Sequence, residues 1–446
     1  MKVLIIGNGC SGNSADKFLK RKGIETIFVS DEVINSENKF SNEYYDRLFE
    51  GLSFSVVSPG IDLKNHLIKE LKKRKIKVVG ELELGSKDLK GDIIAITGTN
   101  GKTTTVSLIS FLLAETKSLF VGGNIGTPVT SFAENTKKED VSVLECSSYQ
   151  LESIKDFHPH IAGILNITED HLVRHKTMKN YIKVKLKITK NQTEKDYLLL
   201  NFDDEILMQN IPKTYAKIYY FSTKQKVIGC YIKSDCIYFN DGLKETKLTS
   251  LKNIKLLGNH NLSNILCSVL AVYLETKNKK ILNRISEFQG IKHRIEFVKN
   301  ISGISFYNDS KATNIDSTLV AVNSFKSNIN LILGGSEKGY EFDKLFKNLP
   351  KNVTNIAVFG QTKKKIIEAG KRNNFKNMFQ CKDIKECILT CYKLSKKGDI
   401  VLLSPACASF DHFKNYEERG NVFIKIVKEI DDGENSLFFS EEKQKL

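Results

Sequence analysis

The chain has 446 residues, of which 41% are hydrophobic. Because a chain of this length is too long to fold around a single hydrophobic core, we expect two or three domains. Its formal net charge is +16, but the lysines are spread along the whole chain and the basic runs lack interleaved aromatic residues, which disfavours a nucleic-acid partner. No apolar run approaches the ~18 residues of a membrane span, and the N-terminal apolar run is too short for a signal-peptide core, so we expect a cytoplasmic protein without a membrane span.

The first predicted domain, residues 1–86, has the pattern of a Rossmann-like nucleotide-binding fold. A short apolar strand leads into Gly7-Asn8-Gly9-Cys10-Ser11-Gly12, a G-x-G-x-x-G loop, and a helical pattern follows it. Asp31 lies 19 residues after Gly12, near the place where such units carry the acid that meets a ribose. A dinucleotide and a UDP-sugar offer the same diphosphate to this helix N-terminus, and the crevice could also be unused, so the pattern leaves the ligand open.

The second predicted domain, residues 87–289, is organised around a phosphate loop. An apolar strand runs into Gly98-Thr99-Asn100-Gly101-Lys102-Thr103-Thr104, and an apolar helix follows. In this arrangement Lys102 places a charge on the outer phosphates, and the Thr103 hydroxyl can ligate Mg²⁺. The spacing is unusual, because Gly98 lies three residues before Gly101 rather than five.

Further polar residues follow the predicted strands of this domain. Glu145 ends one strand, where phosphate-binding domains carry their metal acid, and the stretch Asn166 to His171 ends another. A predicted helix over residues 181–188 carries several lysines, none of which stands out by composition. Asn261 and Asn264 begin an apolar helix, where they could cap it or face a nucleotide base.

The third predicted domain, residues 290–446, again alternates strands and helices, which favours a parallel sheet with polar loops at the strand ends. The strands lead into the stretches 308–314, 334–339 and 404–411. The sequence therefore predicts an α/β protein of three domains: a Rossmann-like N-terminal domain, a central P-loop ATPase-like parallel-sheet domain and a C-terminal Rossmann-like α/β domain. Nine scattered cysteines without a Cys-x-x-Cys pair are expected to be reduced thiols.

Taken together, these motifs resemble the Mur ligase family of ATP-dependent amide-forming enzymes. The short-spaced loop Gly98 to Thr104, Glu145 with Ser147-Ser148, and the stretch Asn166 to His171 carry the resemblance in the centre of the chain. In the last domain it is carried by residues 308–314, 404–411 and 414–420, and the Asn-Pro-Arg typical of siblings that add a diamino acid is absent. The resemblance spans all three domains.

The resemblance implies a reaction and its participants. ATP would activate the carboxylate of UDP-N-acetylmuramoyl-L-alanine as an acyl phosphate, and the amine of D-glutamate would then form the amide and release phosphate. The cofactors implied are ATP, Mg²⁺ at two sites and a carbamylated lysine. We expect small-molecule partners only, and a monomer.

The resemblance also assigns residues to roles. Catalysis falls on Lys102, Glu145, His171 and Lys185, and Mg²⁺ on Thr103, Glu145, His171 and Lys185 as its carbamate. ATP is assigned to Gly98, Thr99, Asn100, Gly101, Lys102, Thr103, Thr104, Asn261, Asn264, Arg294 and Asp309. The UDP-sugar is assigned to Cys10, Ser11, Asp31, Gly60, Asn124, Ser147 and Gln150. D-Glutamate is assigned to Lys311, Thr313, Lys338, Ser409 and Tyr416, where two cationic side chains suit two carboxylates.

The chain departs from the family pattern at two positions: Val173 stands where Asp is common, and Tyr416 where Phe is common. The carbamate falls on Lys185 rather than on Lys183 or Lys187 by the resemblance alone. Other functions remain open: a ligase of the same fold that adds another amino acid or extends a folate, a nicotinamide-dependent oxidoreductase or nucleotide sensor, and a nucleic-acid-binding protein. The oxidoreductase or nucleotide sensor leaves Gly98 to Thr104 and Glu145 without a role.

Overall fold

The computed structural model describes residues 1–30, 41–124, 126–252, 254, 256, 259–288, 290–337, 339 and 341–431. These residues form three β-sheets with helices between the strands. The predicted α/β class is confirmed. No helix among them has the length and apolar character needed to cross a bilayer.

The first sheet has four parallel strands in the order β2-β1-β3-β4. The strands are β1 Lys2–Ile6, β2 Glu25–Val29, β3 Leu52–Val57 and β4 Lys77–Gly80. The helices around it are α1 Cys10–Arg21, α2 Asn42–Phe49, α3 His66–Lys73 and α4 Glu81–Ser86. Val3 to Ile6 are all buried, because a parallel strand is covered on both faces and reads as a continuous apolar run.

The second sheet has nine strands in the order β13-β12-β11-β10-β9-β8-β5-β7-β6. They are β5 Asp92–Thr97, β6 Leu119–Gly123, β7 Val141–Glu145, β8 Ile161–Ile164, β9 Tyr197–Asn201, β10 Lys217–Ser222, β11 Gly229–Lys233, β12 Cys236–Asn240 and β13 Glu245–Ser250. The pairings from β6 to β11 are parallel, and β12 and β13 extend the sheet by antiparallel pairing. The sequence analysis did not anticipate this extension.

Helices pack beside the second sheet and place polar loops at its edge. They are α5 Lys102–Leu113, α6 Ser148–Glu152, α7 Leu172–His175, α8 Met178–Leu186, α9 Glu205–Met208 and α10 Asn259–Thr276. Short 3₁₀ turns occupy Val129–Ser131, Ala133–Asn135, Lys187–Thr189 and Lys280–Glu287. Helix α5 is apolar on nearly every side, which fits its burial between the sheet and neighbouring segments.

The third sheet has six strands in the order β14-β15-β19-β16-β17-β18, of which only β14 is antiparallel to its neighbour. They are β14 Glu296–Ile301, β15 Ile304–Asn308, β16 Ile329–Gly334, β17 Val353–Phe359, β18 Met378–Gln380 and β19 Ile400–Leu403. Its helices are α11 Ile315–Val322, α12 Asp343–Lys347, α13 Lys363–Arg372, α14 Ile384–Leu394 and α15 Tyr416–Asp431.

The described residues group into two compact units. The first unit comprises residues 1–254 and 261–288 and so contains the first two sheets, and the second comprises 255–260 and the described residues after Phe288. The three domain ranges given above stay a prediction.

Candidate functional site

The predicted phosphate loop connects β5 to α5, and its shape depends on two glycines. Gly98 and Gly101 have φ values of 153° and 86°, in the region that favours glycine. A Cβ atom on Gly101 would lie 2.2 Å from Oδ1 of Asn264, so the approach of α10 to the loop also requires glycine there. Because α5 begins at Lys102, the loop lies at the N-terminus of a twelve-residue helix, where phosphate binding is favoured.

Side chains from neighbouring strand ends hold this loop. Asn166, which follows β8, accepts a hydrogen bond from the Asn100 amide (2.8 Å) and donates one to the Asn100 carbonyl (3.0 Å). The Thr99 hydroxyl donates to the carbonyl of Thr168 (3.2 Å) and lies 3.1 Å from the hydroxyl of Tyr181. The loop is therefore preorganised by protein contacts.

Glu145 lies at the end of β7 beside the first turn of α5. Its carboxylate is buried and accepts hydrogen bonds from the Thr103 hydroxyl (2.8 Å) and the Asn124 amide (2.8 Å). The Glu145 carboxylate and the Thr103 hydroxyl supply hard oxygen ligands of the kind that Mg²⁺ prefers. Among the described residues, here as elsewhere, no group of three His, Cys, Asp or Glu side chains is arranged to hold a metal. Thr103 and Glu145 would supply two ligands, which leaves the other coordination positions of a Mg²⁺ ion to phosphate oxygens and water. Thr104 is buried in the same turn.

The three lysines of the α8 region have different environments. Lys185 is 1% exposed and donates to the carbonyl of Gly98 (2.8 Å), whereas Lys183 is exposed and Lys187 donates to the carbonyl of Glu152 (2.8 Å). Lys102 donates to the same Gly98 carbonyl (2.9 Å). Burial, together with the Lys102 charge, lowers the pKa of Lys185 well below its ordinary value, which favours the neutral amine.

His171 lies just before α7 with a positive φ of 54°. Its Nδ1 is 2.9 Å from the hydroxyl of Tyr149, and its Nε2 is 3.3 Å from the carboxylate of Asp170. The ring is partly exposed and so is accessible to a ligand.

A cavity of about 600 Å³ opens in the first unit between the loops after β1 and β3 and those after β6 and β7. Five of the predicted UDP-sugar residues line it: Cys10, Ser11, Gly60, Asn124 and Gln150. Ser147 is the N-cap of α6, and the Gln150 side chain accepts from both its amide and its hydroxyl (3.0 Å each). Asp31 lies outside the described residues.

The predicted nucleotide residues occur in both units. In the first, Asn264 donates to Asn261 (3.0 Å) and both side chains are buried. In the second, Asp309 follows β15 and is buried, with Nη1 of Arg294 at 3.7 Å from its carboxylate. Burial raises the pKa of Asp309 to about 6, against the opposing effects of Arg294 and a hydrogen bond from Ser404.

Four of the predicted D-glutamate residues belong to neighbouring loops of the second unit. Nζ of Lys311 lies 5.5 Å from the ring centre of Tyr416, which begins α15. The Thr313 amide donates to the Lys311 carbonyl (3.0 Å), and Ser409 is buried in the loop after β19. Lys338 lies outside the described residues.

Arg419, in the first turn of α15, had no predicted role, and it is completely buried against the loops that carry these residues. A signal was available: the buried residues Phe423 and Val427 follow it at intervals of four, so Arg419 continues the apolar stripe of α15. Tyr181, which contacts both Thr99 and Lys185, was likewise seen only as part of a basic helix.

Comparisons with known proteins agree with this arrangement. Residues 96–272 match the family model of the Mur ligase middle domain, and residues 293–407 match that of the Mur ligase glutamate ligase domain. The chain is 39% identical to the UDP-N-acetylmuramoylalanine–D-glutamate ligase of Lachnoclostridium phytofermentans, over 97% of this chain and 98% of that relative. It is also 39% identical to the enzyme of the same name from Clostridioides difficile, over 96% and 98% of the two chains.

Solved structures show the same fold at lower identity. The UDP-N-acetylmuramate–alanine ligase of Thermotoga maritima superposes with a TM-score of 0.59 at 18% identity, covering 96% of this chain and 100% of its own. The MurF ligase of Thermotoga maritima, solved in complex with ADP, superposes with a TM-score of 0.58 at 18% identity, covering 89% and 94%. Together with the similarity to the D-glutamate ligases over nearly the full length of the chain, these findings show that the chain belongs to the Mur ligase family.

Proposed function

We propose that this chain joins D-glutamate to UDP-N-acetylmuramoyl-L-alanine and converts ATP to ADP and phosphate, a step of peptidoglycan precursor synthesis. The observation that carries the choice of substrates is the similarity, over 97% of the chain, to relatives named for this reaction. The described geometry of the phosphate loop supports the dependence on ATP.

The reaction begins when the alanyl carboxylate attacks the γ-phosphorus of ATP, which forms an acyl phosphate and releases ADP. The amine of D-glutamate then attacks the acyl carbon, an amide forms, and phosphate leaves with loss of a proton. Lys102 and the α5 N-terminus neutralise the charge that spreads over the phosphate oxygens. Asn166 and Thr99 keep the loop in the shape that this requires.

The donor set at the loop fits Mg²⁺, and the proposal places one ion at Thr103 and Glu145 and a second at His171 and the carbamate of Lys185. When bound, Mg²⁺ neutralises phosphate charge and orients the oxygens of the transferred group. Asn124 supports this arrangement, because its amide donates to the Glu145 carboxylate and orients it.

The carbamate forms when the neutral amine of Lys185 attacks CO₂, makes an N–C bond and loses one proton. The burial and lowered pKa of Lys185 support the presence of that neutral amine. Lys183 is exposed. Partial burial also lowers the pKa of Lys187, but its amine donates to the carbonyl of Glu152 rather than to Gly98 of the phosphate loop.

The remaining roles follow the same proposal. Asn261, Asn264, Arg294 and Asp309 contact the nucleotide, and the residues around the cavity, with Ser147 and Asp31, hold the UDP-sugar. Lys311, Thr313, Lys338, Ser409 and Tyr416 receive D-glutamate. The protein acts as a monomer in the cytoplasm.

The test is phosphate release from ATP with UDP-N-acetylmuramoyl-L-alanine, with and without D-glutamate. We expect continuous release only when both are present, and formation of the D-glutamyl amide by mass spectrometry. L-Glutamate, L-alanine and diaminopimelate in place of D-glutamate should give no product. Product with one of these, and none with D-glutamate, would overturn the proposal.

Two lysine variants locate the chemistry. Lys102→Ala removes the positive charge at the phosphates. We expect the rate of ligation to fall by about a thousandfold or more, with the circular dichroism spectrum unchanged. Lys183→Ala, an exposed lysine of α8, is the matched control and should keep full activity. Full activity of Lys102→Ala would remove the phosphate loop from the mechanism.

A further inference from the structure

We propose that Arg419 is a positioning residue of the amino-acid pocket: its buried guanidinium ties together the loops that present D-glutamate contacts, and its charge favours an amino acid with two carboxylates. This inference rests on the proposed function. It concerns a residue that the reaction scheme above does not use.

The guanidinium makes four hydrogen bonds to two loops. Nε donates to the Ser310 hydroxyl (2.9 Å) and Nη2 to the Ser310 carbonyl (2.8 Å). Nη1 donates to the carbonyls of Cys407 and Ala408 (3.1 Å each). Ser310 directly precedes Lys311, and Ala408 directly precedes Ser409, so one planar fork fixes the backbone beside two predicted D-glutamate residues.

Two further contacts extend this network. The Ser310 hydroxyl, which accepts from Arg419, donates to the carbonyl of Tyr416 (2.8 Å) and so holds the start of α15. The Ser336 amide donates to the Ala408 carbonyl (2.9 Å), which attaches the loop after β16. At Gly335 a Cβ atom would lie 2.1 Å from that carbonyl oxygen and 3.1 Å from Nη1 of Arg419, so this close packing depends on glycine.

Among the described residues, the hydrogen-bond partners of the Arg419 guanidinium are all neutral oxygens. None of the carboxylates in the described part of the second unit forms an ion pair with it, although Asp309 and Asp411 act on it from farther away. Burial lowers the pKa of Arg419 to about 10, so the group stays protonated at neutral pH. A buried cation with neutral partners leaves a positive potential in its surroundings, and here these are the loops of Lys311 and Ser409.

A purely structural role predicts something else. If Arg419 only stabilised the second unit, its replacement would lower the unfolding temperature and the amount of active enzyme, which reduces kcat for all substrates alike. A positioning role changes the KM for one substrate. The two roles therefore separate in a kinetic experiment with the full-length enzyme.

The experiment compares Arg419→Lys, which keeps the charge and loses the fork, with Arg419→Met, which loses both. In each we expect the KM for D-glutamate to rise about tenfold to a hundredfold, while the KM for ATP and for UDP-N-acetylmuramoyl-L-alanine stays within about twofold. D-Glutamine is tested as a competitive inhibitor. Its affinity relative to that of D-glutamate should increase only in Arg419→Met, because that variant has lost the charge.

Two more variants keep the test decisive. Ser310→Ala removes the hydroxyl that links Arg419 to Tyr416 and should raise the KM for D-glutamate even if Arg419→Met does not fold. Arg372→Met, at an exposed arginine of the same unit paired with Asp343, is the matched control and should change no kinetic constant.

An unchanged KM for D-glutamate in Arg419→Lys and Ser310→Ala, or an equal change for all three substrates, would overturn the inference. Product formation by the unmodified enzyme distinguishes this outcome from a failure of the proposed function. If it forms no D-glutamyl product, the function fails, and if it does while the variants behave normally, only the role of Arg419 fails.

Discussion

Asp309 is a carboxylate with no exposed side-chain surface, placed where β15 meets a loop of the second unit. Its oxygens accept from the Ile295 amide (3.2 Å) and the Ser404 hydroxyl (2.7 Å), the Arg294 guanidinium is 3.7 Å away, and Arg419 acts on it from farther away. These contacts do not fully offset the loss of water, so the neutral acid is favoured in the folded state and its pKa rises from 3.8 to about 6.

This shift predicts how stability depends on pH. The folded protein binds the Asp309 proton more tightly than the unfolded chain does, so Asp309 lowers stability as the pH rises from about 4 to 6, by up to about 3 kcal/mol. Asp309→Asn cannot titrate, and its amide can donate to Ser404, which can donate onward to Thr318 (3.1 Å). We expect the stability of this variant relative to the unmodified protein to increase from pH 4 to pH 7.

Urea unfolding at several pH values, followed by circular dichroism, measures this difference. A stability difference that stays constant with pH would show that folding does not change the pKa of Asp309, which would contradict the upward shift. Because Asp309 is also proposed to contact the nucleotide, we expect ligation by the variant to be impaired even where it is more stable.

Single residues also show the limits of sequence reasoning. Lys183, Lys185 and Lys187 are equivalent by composition, and only the resemblance singled out Lys185. In the structure Lys185 is buried and donates to the Gly98 carbonyl, Lys187 donates to the Glu152 carbonyl, and Lys183 is exposed. This difference depends on which segments cover α8, and a local pattern does not contain this information.

At the scale of elements, the six-residue helix α4 forms many hydrogen bonds to segments distant in the chain. Glu81 accepts from the amide (2.7 Å) and the hydroxyl (2.8 Å) of Thr130. Glu83 accepts from three consecutive backbone amides, those of Lys155 (2.8 Å), Asp156 (3.0 Å) and Phe157 (3.1 Å). Both glutamates are buried, so α4 attaches the first sheet to segments beside the second.

We expect Glu83→Ala to destabilise the first unit by about 2–4 kcal/mol, because three buried or part-buried amides would lose their acceptor. Thermal and urea unfolding measure the loss. Asp156→Ala is the control: its carboxylate is about half exposed and pairs with Lys87 at 3.2 Å, so its removal should destabilise the protein much less than Glu83→Ala does. Equal effects of the two substitutions would contradict the role given to α4.

Elements differ in how well the sequence predicts them. Helix α3 follows directly from its pattern, since Leu67, Ile68 and Leu71 are buried at helical spacing and the Asn65 side chain caps the first turn. Strands β12 and β13 were not predicted. They pair with their chain neighbours through short hairpin connections. The turn between β11 and β12 consists of Ser234 and Asp235, both with positive φ, and it lacks the glycine that usually marks a hairpin in a sequence.

At the scale of the whole molecule, the cavity of about 600 Å³ lies within the first unit and is formed by segments far apart in the chain. Loops after β1, β3 and β6 meet there with the start of α6, at the carboxyl ends of parallel strands. This is the place where open α/β sheets bind ligands.

A ligand that binds only the folded state stabilises it by mass action. UDP-N-acetylmuramoyl-L-alanine at a hundredfold excess over its Kd should therefore stabilise the first unit by about 2.7 kcal/mol. Differential scanning fluorimetry should show a higher unfolding midpoint with this ligand and a smaller increase with UDP, which fills less of the cavity. The same midpoint with and without the ligand would argue against the cavity as the UDP-sugar site.

The sequence by itself determined the alternation of strands and helices, the phosphate loop and the polar strand ends, because backbone periodicity and glycine turns are encoded by neighbouring residues. Only the tertiary structure decided that Lys185 reaches Gly98, that Asn124 orients Glu145 and that Arg419 lies beneath the loops of Lys311 and Ser409. Each of these contacts joins segments distant in the chain, and the environment of a buried charge depends on the elements that pack around it.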